Sequence, residues 1–254
     1  MFECRSKGKI SSVELFNSNE DFRRAIWKAI ALYGKITKSN VREICRNEKV
    51  SSRINQFPPR VAMSVLKELY PDGNIKYLDP THGFSGRLIG AYASGLVNKY
   101  VGIDLSFETH KGANKTVEWM NGVPDFNMEV DLINGDCLVE IPRLNDDFDL
   151  VFTSPPFLDV EQYKGVPFET DYKEWLEDFI CSFCSLSYEC LRAGGKLAVY
   201  LEKINNYNFR DDFRKIAIQN GFCQCDSILF KASYSENNRN KKTHRGIPIL
   251  IFEK

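Results

Sequence analysis

Four short apolar runs, each closed by a polar residue and spaced about one strand-plus-helix apart, constrain this chain more than any other feature. The first, Ile75-Lys76-Tyr77-Leu78-Asp79, is followed by a glycine-containing turn and an apolar helical pattern through Leu88, Ile89, Ala91 and Tyr92. The second, Tyr100-Val101-Gly102-Ile103-Asp104, precedes a helix predicted from about Phe107 to Met120. The third lies near Val130–Ile133 and leads into Asn134-Gly135-Asp136-Cys137. The fourth, Leu150-Val151-Phe152, stops at Thr153-Ser154-Pro155-Pro156-Phe157. Short apolar runs alternating with helical patterns read as parallel strands joined by crossover helices. Such units build an open sheet with helices on both faces, and ligands bind outside the carboxyl ends of its strands. All four polar closures therefore fall on one edge of the predicted sheet.

The fourth closure is the most unusual. Each proline fixes its own φ and lacks an N–H, and Pro156 pushes Pro155 toward an extended conformation. A stiff, non-helical turn results, with unpaired carbonyls, the Ser154 hydroxyl and the Phe157 ring. Acceptors beside a flat ring suit a planar substrate with an exocyclic amine.

Ser154-Pro155-Pro156-Phe157 resembles the (Asp/Asn/Ser)-Pro-Pro-(Tyr/Phe/Trp) motif of S-adenosylmethionine-dependent methyltransferases that modify base amino groups, adenine N6 or cytosine N4. The stretch Asp79-Pro80-Thr81-His82-Gly83-Phe84-Ser85-Gly86 is similar to the Asp-Pro-x-x-Gly-x-Gly cofactor motif of the same enzymes. It departs from the commonest form in two ways: Thr81 stands where Phe is usual, and Phe84-Ser85 separate the glycines. The ending Gly246–Phe252 is also similar to the family's final strand, so the resemblance covers about Phe57 to Lys254.

The resemblance implies a class I Rossmann-like methyltransferase with a seven-stranded, mostly parallel α/β sheet, helices on both faces, and S-adenosylmethionine as cofactor. The expected cofactor-binding residues are Phe57, in the loop before a helix opening at Pro58-Pro59, then Asp79, Pro80, Gly83, Gly86, Asp104, Asp136 and Cys137. Asp79 is expected to accept from the cofactor ammonium and Asp136 from its adenine amino group, with the backbone beside Cys137 reading the ring. Asp104, eighteen residues after Gly86, is placed to bind both ribose hydroxyls. A nicotinamide enzyme would present the same acid, but the glycines do not form Gly-x-Gly-x-x-Gly. The expected catalytic residues are Ser154, Pro155, Pro156 and Phe157: Ser154 Oγ and the Pro155 carbonyl accept from the base amine and Phe157 stacks on its ring. A duplex base is out of reach of such a pocket, so the target is flipped out or single-stranded.

The chain of 254 residues divides, on this reading, into a basic helical extension over 1–52 and the methyltransferase domain over 53–254. Residues 1–60 hold thirteen Lys/Arg against six Asp/Glu while the whole chain is neutral. That bias suits nucleic acid, or simply a solvated basic face. A helix-turn-helix is conceivable in the extension, but no signature separates it from a packing arm. After Phe157 come a loop over 158–170, a helix over Tyr172–Cys190 stopped by Gly194-Gly195, a strand over Lys196–Leu201, and a helix ending at Asn220-Gly221. Two last strands follow, around Phe222–Phe230 and Ile247–Phe252. The loop between them carries Arg239, Lys241, Lys242 and Arg245, which are candidate phosphate contacts or a solvated hairpin tip.

Eight cysteines without an export signal point to free thiols in a reducing cytosol. Cys181-x-x-Cys184 lacks a partner pair, so packed thiols are expected rather than zinc, and no metal is expected in the reaction. The expected partner is DNA, with RNA possible. Transfer to cytosine N4 is slightly favoured over adenine N6, and a protein partner or dimer could supply sequence specificity. An RNA or other nitrogen-acceptor methyltransferase, and a non-catalytic nucleic-acid-binding protein on the same fold, are the alternatives.

Overall fold

Each of the four apolar runs forms a strand, and the helical patterns between them form the crossovers. The computed structural model describes residues 5–6, 17–47, 56–124, 127–156, 158, 161–162, 171–201, 207–231 and 246–254. They fall into two compact units, one made of 1–55 with 157–172 and the other of 56–156 with 173–254. The sequence reading divides the chain once, at residue 52, whereas here 157–172 group with 1–55.

In the first unit, helix α1 (Asn19–Tyr33) and helix α2 (Lys38–Asn47) pack through Ala25, Ala29, Val41 and Ile44. Gly34, at φ +65°, ends α1, and the Thr37 hydroxyl accepts from the Asn40 N–H to cap α2. Arg5 and Ser6 pair antiparallel with Gln162 and Glu161 in the same unit.

The second unit opens with α3 (Pro59–Leu69), then β1 (Ile75–Asp79), α4 (Gly86–Ser94), β2 (Val97–Asp104), α5 (Phe107–Asn121) and β3 (Glu129–Asn134). The short α6 (Cys137–Glu140) and β4 (Phe148–Thr153) follow. A π-helical stretch over Trp175–Ile180 leads into α7 (Cys181–Cys190), then β5 (Leu191–Tyr200), α8 (Phe209–Gln219), β6 (Cys223–Gln224), β7 (Ile228–Lys231) and β8 (Gly246–Glu253). The sheet order is β3-β2-β1-β4-β5-β8-β6, with β7 also paired to β8. Strands β1 to β5 are mutually parallel, whereas β8 runs antiparallel to β5, β6 and β7. The expected seven strands become eight because the penultimate one is interrupted at 225–227. β6 and β7 are its two halves, both lying along β8.

The central strands β1 and β4 are buried along most of their length, as parallel strands with helical crossovers require, while the edge strand β3 is partly exposed. Tyr77, Tyr100, Leu150, Phe152, Ala198 and Ile249 form the core under α3 and α4. The strand order reverses on either side of β1, which puts the topological switch point between the carboxyl ends of β1 and β4.

Two details correct the sequence reading. Helix α7 ends at Cys190 as expected, but Gly194-Gly195 lies within β5 rather than stopping the helix. There the strand bulges, Phe148 pairing Leu191 while Leu150 pairs Lys196, and Gly194 takes φ +72°. The apolar pattern of Trp175, Leu176, Phe179 and Ile180 reads as an ordinary helix, and the structure winds this stretch as a π-helix. No helix among the described residues is long and apolar enough to cross a membrane.

Candidate functional site

The loop after β1 and the end of β2 are built as one piece. The His82 N–H donates to the Ile103 carbonyl and the Gly83 N–H to Asp104 Oδ2, each at 2.9 Å. The Ser106 N–H donates to Asp104 Oδ1 at 2.9 Å, and Ser106 itself caps α5. A carboxylate can take about four hydrogen bonds, so Asp104 is oriented by two backbone donors with acceptor capacity to spare. It is half-buried at the strand end, which suits a vicinal diol. Gly83 adopts φ +56°, the left-handed conformation that this turn needs and that glycine adopts without a Cβ penalty.

Asp79 has a different environment from the one expected. Its carboxylate is fully buried and receives Arg87 Nε at 2.8 Å, Arg87 Nη2 at 3.0 Å, the Tyr100 hydroxyl at 2.9 Å and the Thr153 hydroxyl at 3.2 Å. The sequence reading places a cofactor ammonium on Asp79; in this structure its carboxylate faces four donors of the protein's interior. Burial works against the Arg87 guanidinium, but the Asp79 carboxylate outweighs it and raises the Arg87 pKa. Arg87 Nη2 also donates to the Thr81 carbonyl, so the pair pins the loop from below.

Sequence reasoning missed Arg87. The available signal was a lone cation in the first turn of an otherwise apolar helix, eight residues after a strand-end acid.

Gly86 is closely packed. A Cβ there would lie 2.0 Å from the Phe57 carbonyl oxygen, and one on Gly90 would lie 2.5 Å from Ala62 Cβ and from the Pro59 carbonyl. The space at Gly86 is filled by the chain itself, not held open for a ligand. Phe57 sits above the sheet with its ring 5.6 Å from both Phe152 and Tyr200, and the Arg87 guanidinium lies 5.4 Å over it. Pro80 is buried in the turn.

Asp136 is exposed and caps α6, its Oδ1 accepting from the Leu138 N–H at 2.9 Å. The adjacent Cys137 thiol is buried, which pushes its pKa up to about 12 and keeps it protonated. Only its backbone is suited to a ligand role. Among the described residues no group of His, Cys, Asp and Glu forms a metal site, and Cys181, Cys184, Cys190, Cys223 and Cys225 are free thiols.

At the end of β4 the turn Ser154-Pro155-Pro156 stands directly beside the β1 loop. The Thr81 hydroxyl lies 2.9 Å from the Ser154 carbonyl oxygen and 2.6 Å from Thr153 Oγ1. Pro155 is buried, Pro156 exposed and Ser154 half-buried. The structure thus brings Asp104, Gly83, Asp79 and Ser154 to one edge of the sheet, at the switch point. Phe157, the rest of the 158–170 loop apart from 158 and 161–162, and Arg239, Lys241, Lys242 and Arg245 lie outside the described residues.

No family model and no curated protein matches the chain. Among solved structures, TrmN from Thermus thermophilus aligns at TM-score 0.55 and 14% identity, over 92% of this chain and 79% of that one. A magnesium protoporphyrin IX methyltransferase from Synechocystis PCC 6803, crystallised with bound SAM, aligns at 0.52 and 16%, over 95% and 94%. A putative RNA methyltransferase from Pyrococcus horikoshii aligns at 0.51 and 15%, over 77% and 81%. The fold is that of the Rossmann-like methyltransferases. Identities this low carry the methyltransferase fold alone, and the substrates named differ from one neighbour to the next.

Proposed function

We propose that the chain is an S-adenosylmethionine-dependent methyltransferase that modifies the exocyclic amino group of a nucleic-acid base, with DNA the favoured substrate and cytosine N4 slightly preferred to adenine N6. The observation that carries this reading is the Ser154-Pro155-Pro156 turn at the switch point, 2.9 Å from the loop that also orders Asp104. Asp104 would hold the ribose hydroxyls on its remaining lone pairs, Asp136 the adenine amino group on its uncapped oxygen, and the backbone of Cys137 the ring edge. S-adenosylmethionine supplies a sulfonium-activated methyl group.

The protein's own work is then orientation and exclusion of water. Ser154 Oγ and the Pro155 carbonyl would accept the two amine protons and aim the nitrogen lone pair, while Phe157 would cover the base. Two stiff prolines keep these acceptors in place without reorganisation as the amine nitrogen becomes positive. A base held this way must leave a duplex stack, at a cost of a few kcal/mol. The putative RNA methyltransferase from Pyrococcus horikoshii among the structural neighbours favours RNA as the second reading.

The deciding experiment is transfer of labelled methyl from S-adenosylmethionine to duplex DNA, single-stranded DNA and RNA, with nucleoside analysis. N4-methylcytosine or N6-methyladenine in DNA is the expected product class. Label confined to RNA moves the second reading into first place, and absence of cofactor binding removes the enzyme reading altogether. Asp104→Ala should weaken cofactor binding by roughly 10- to 100-fold, the worth of hydrogen bonds to a charged group; unchanged affinity would rule out the ribose role.

A further inference from the structure

Thr81 occupies the position at which the chain departs from the commonest cofactor motif, and its hydroxyl links four groups that no backbone ladder connects. The chain of contacts runs from the Ser154 carbonyl to Thr81 Oγ1 at 2.9 Å, to Thr153 Oγ1 at 2.6 Å, and to Asp79 Oδ1 at 3.2 Å. Its far end is anchored, because Arg87 and Tyr100 hold the Asp79 carboxylate from the other side.

The proton count is informative. The Ser154 carbonyl is an acceptor only, and the Asp79 carboxylate accepts from every partner it has here, Arg87, Tyr100 and Thr153. Two hydroxyl protons must therefore serve three links, and one link is always unmade. With the Thr153 proton on Asp79, the Thr81 proton lies either on Thr153, which leaves the Ser154 carbonyl free, or on the Ser154 carbonyl, which leaves the Thr81–Thr153 link unmade. With the Thr153 proton turned to Thr81, the Thr81 proton holds the Ser154 carbonyl, and Asp79 keeps its three remaining donors. The rotor of the Thr81 hydroxyl thus decides whether the carbonyl at the head of the Pro-Pro turn is tethered to the cofactor loop. Ser154 and Thr81 belong to separate loops 73 residues apart, so this tether sets the distance between the two halves of the site.

We propose that Thr81 is the positioning residue of the Ser154-Pro155-Pro156 turn, aligning the amine-accepting groups with the cofactor loop through its hydroxyl. This rests on the methyl-transfer reading above, so the test needs one readout that does not depend on it.

Ser154-Pro155 is the only Ser-Pro pair in the chain. Labelling serine with carbonyl 13C and proline with 15N therefore isolates one resonance, that of the Ser154 carbonyl, in the full-length protein. Thr81→Val removes the tether and should move this resonance upfield. Thr153→Val leaves the Thr81 proton no partner but the Ser154 carbonyl and should move it downfield. Thr81→Ser should restore the wild-type position. In transfer assays Thr81→Val should lower the single-turnover rate by roughly 10-fold, one hydrogen bond's worth. Cofactor affinity should stay within about 2-fold of wild type, and Thr81→Ser should recover the rate.

An unmoved resonance in both valine variants overturns the proposal, as does a transfer rate unaffected by Thr81→Val. A loss of cofactor affinity matching the loss of rate also overturns it, since Thr81 would then belong to the cofactor site. Should Thr81→Val not fold, the Thr153→Val shift and its absence in Thr81→Ser carry the same decision. If the wild type transfers no methyl to any nucleic acid, the function proposed above fails, and the opposed carbonyl shifts still decide the role of Thr81.

Discussion

Two charged clusters sit at opposite ends of the same strands, and they are built differently. At the carboxyl end, Asp79 and Arg87 form a bidentate pair in which both side chains are at most 4% exposed. At the amino end, Asp146 joins Lys76 at 2.8 Å and Lys99 at 2.9 Å, with side chains 21–40% exposed. Lys99 also reaches Glu129 and Asp131. The exposed cluster ties neighbouring strands in high-dielectric surroundings, where an ion pair contributes about 1 kcal/mol or less. The buried pair carries a desolvation cost that its attraction only partly offsets, and a well-packed apolar pair could replace it without loss. What an apolar pair could not do is donate to the Thr81 carbonyl, accept from Thr153 and thereby hold the site loop in one conformation. The costly cluster lies under the site; the inexpensive one lies away from it.

The largest effect should come from breaking the buried pair on one side only. Arg87→Met leaves an uncompensated carboxylate in the core and should destabilise by about 3–5 kcal/mol. For a chain of this size that lowers the midpoint of thermal unfolding by roughly 10 °C. Replacing both partners, as in Asp79→Leu with Arg87→Met, should recover much of that loss. A double variant no more stable than the single one would show that the pair is retained for stability.

Next in size is Gly86→Ala. Its Cβ meets a backbone carbonyl rather than a flexible side chain, so α3 must move away from α4. Denaturant unfolding should register a loss of about 1–3 kcal/mol. Equal stability would return Gly86 to the role of a ligand-approach glycine.

The smallest effect belongs to the amino end. Lys99→Met should change stability by less than about 1 kcal/mol near neutral pH. Its signature is in acid. Hydrogen bonds from Lys76 and Lys99 hold the Asp146 pKa below its ordinary 3.8. A carboxyl with a depressed folded-state pKa contributes stability above its unfolded value, and that contribution disappears as pH falls through the folded-state value. Unfolding followed from pH 5 downward should therefore show a shallower acid decline in Lys99→Met than in the wild type. Identical acid profiles would mean that Lys76 alone carries the shift.

How much was legible beforehand differs between the same two ends. The strand-end acids, the glycine turn and the Pro-Pro turn follow from local rules: period, turn chemistry and the two soft dihedrals that proline constrains. The order of the strands does not, because it depends on which strands pair across the sheet. Nor do the interrupted penultimate strand and the glycine bulge in β5, because a strand break is decided by its partner's register.

The sequence by itself determined that an α/β sheet would carry Asp79, Asp104, Asp136 and Ser154 on one edge, since alternation and turn signals are local. Only the tertiary structure decided what each of those acids is free to do. Asp104 and Asp79 look alike in the chain, each closing an apolar run before a turn. One meets two backbone N–H groups and keeps open lone pairs; the other is enclosed by Arg87, Tyr100 and Thr153. The difference arises from residues up to 74 positions away, and a carboxylate's acceptors are assigned by whatever donors packing brings within 3 Å or so, not by its neighbours in sequence.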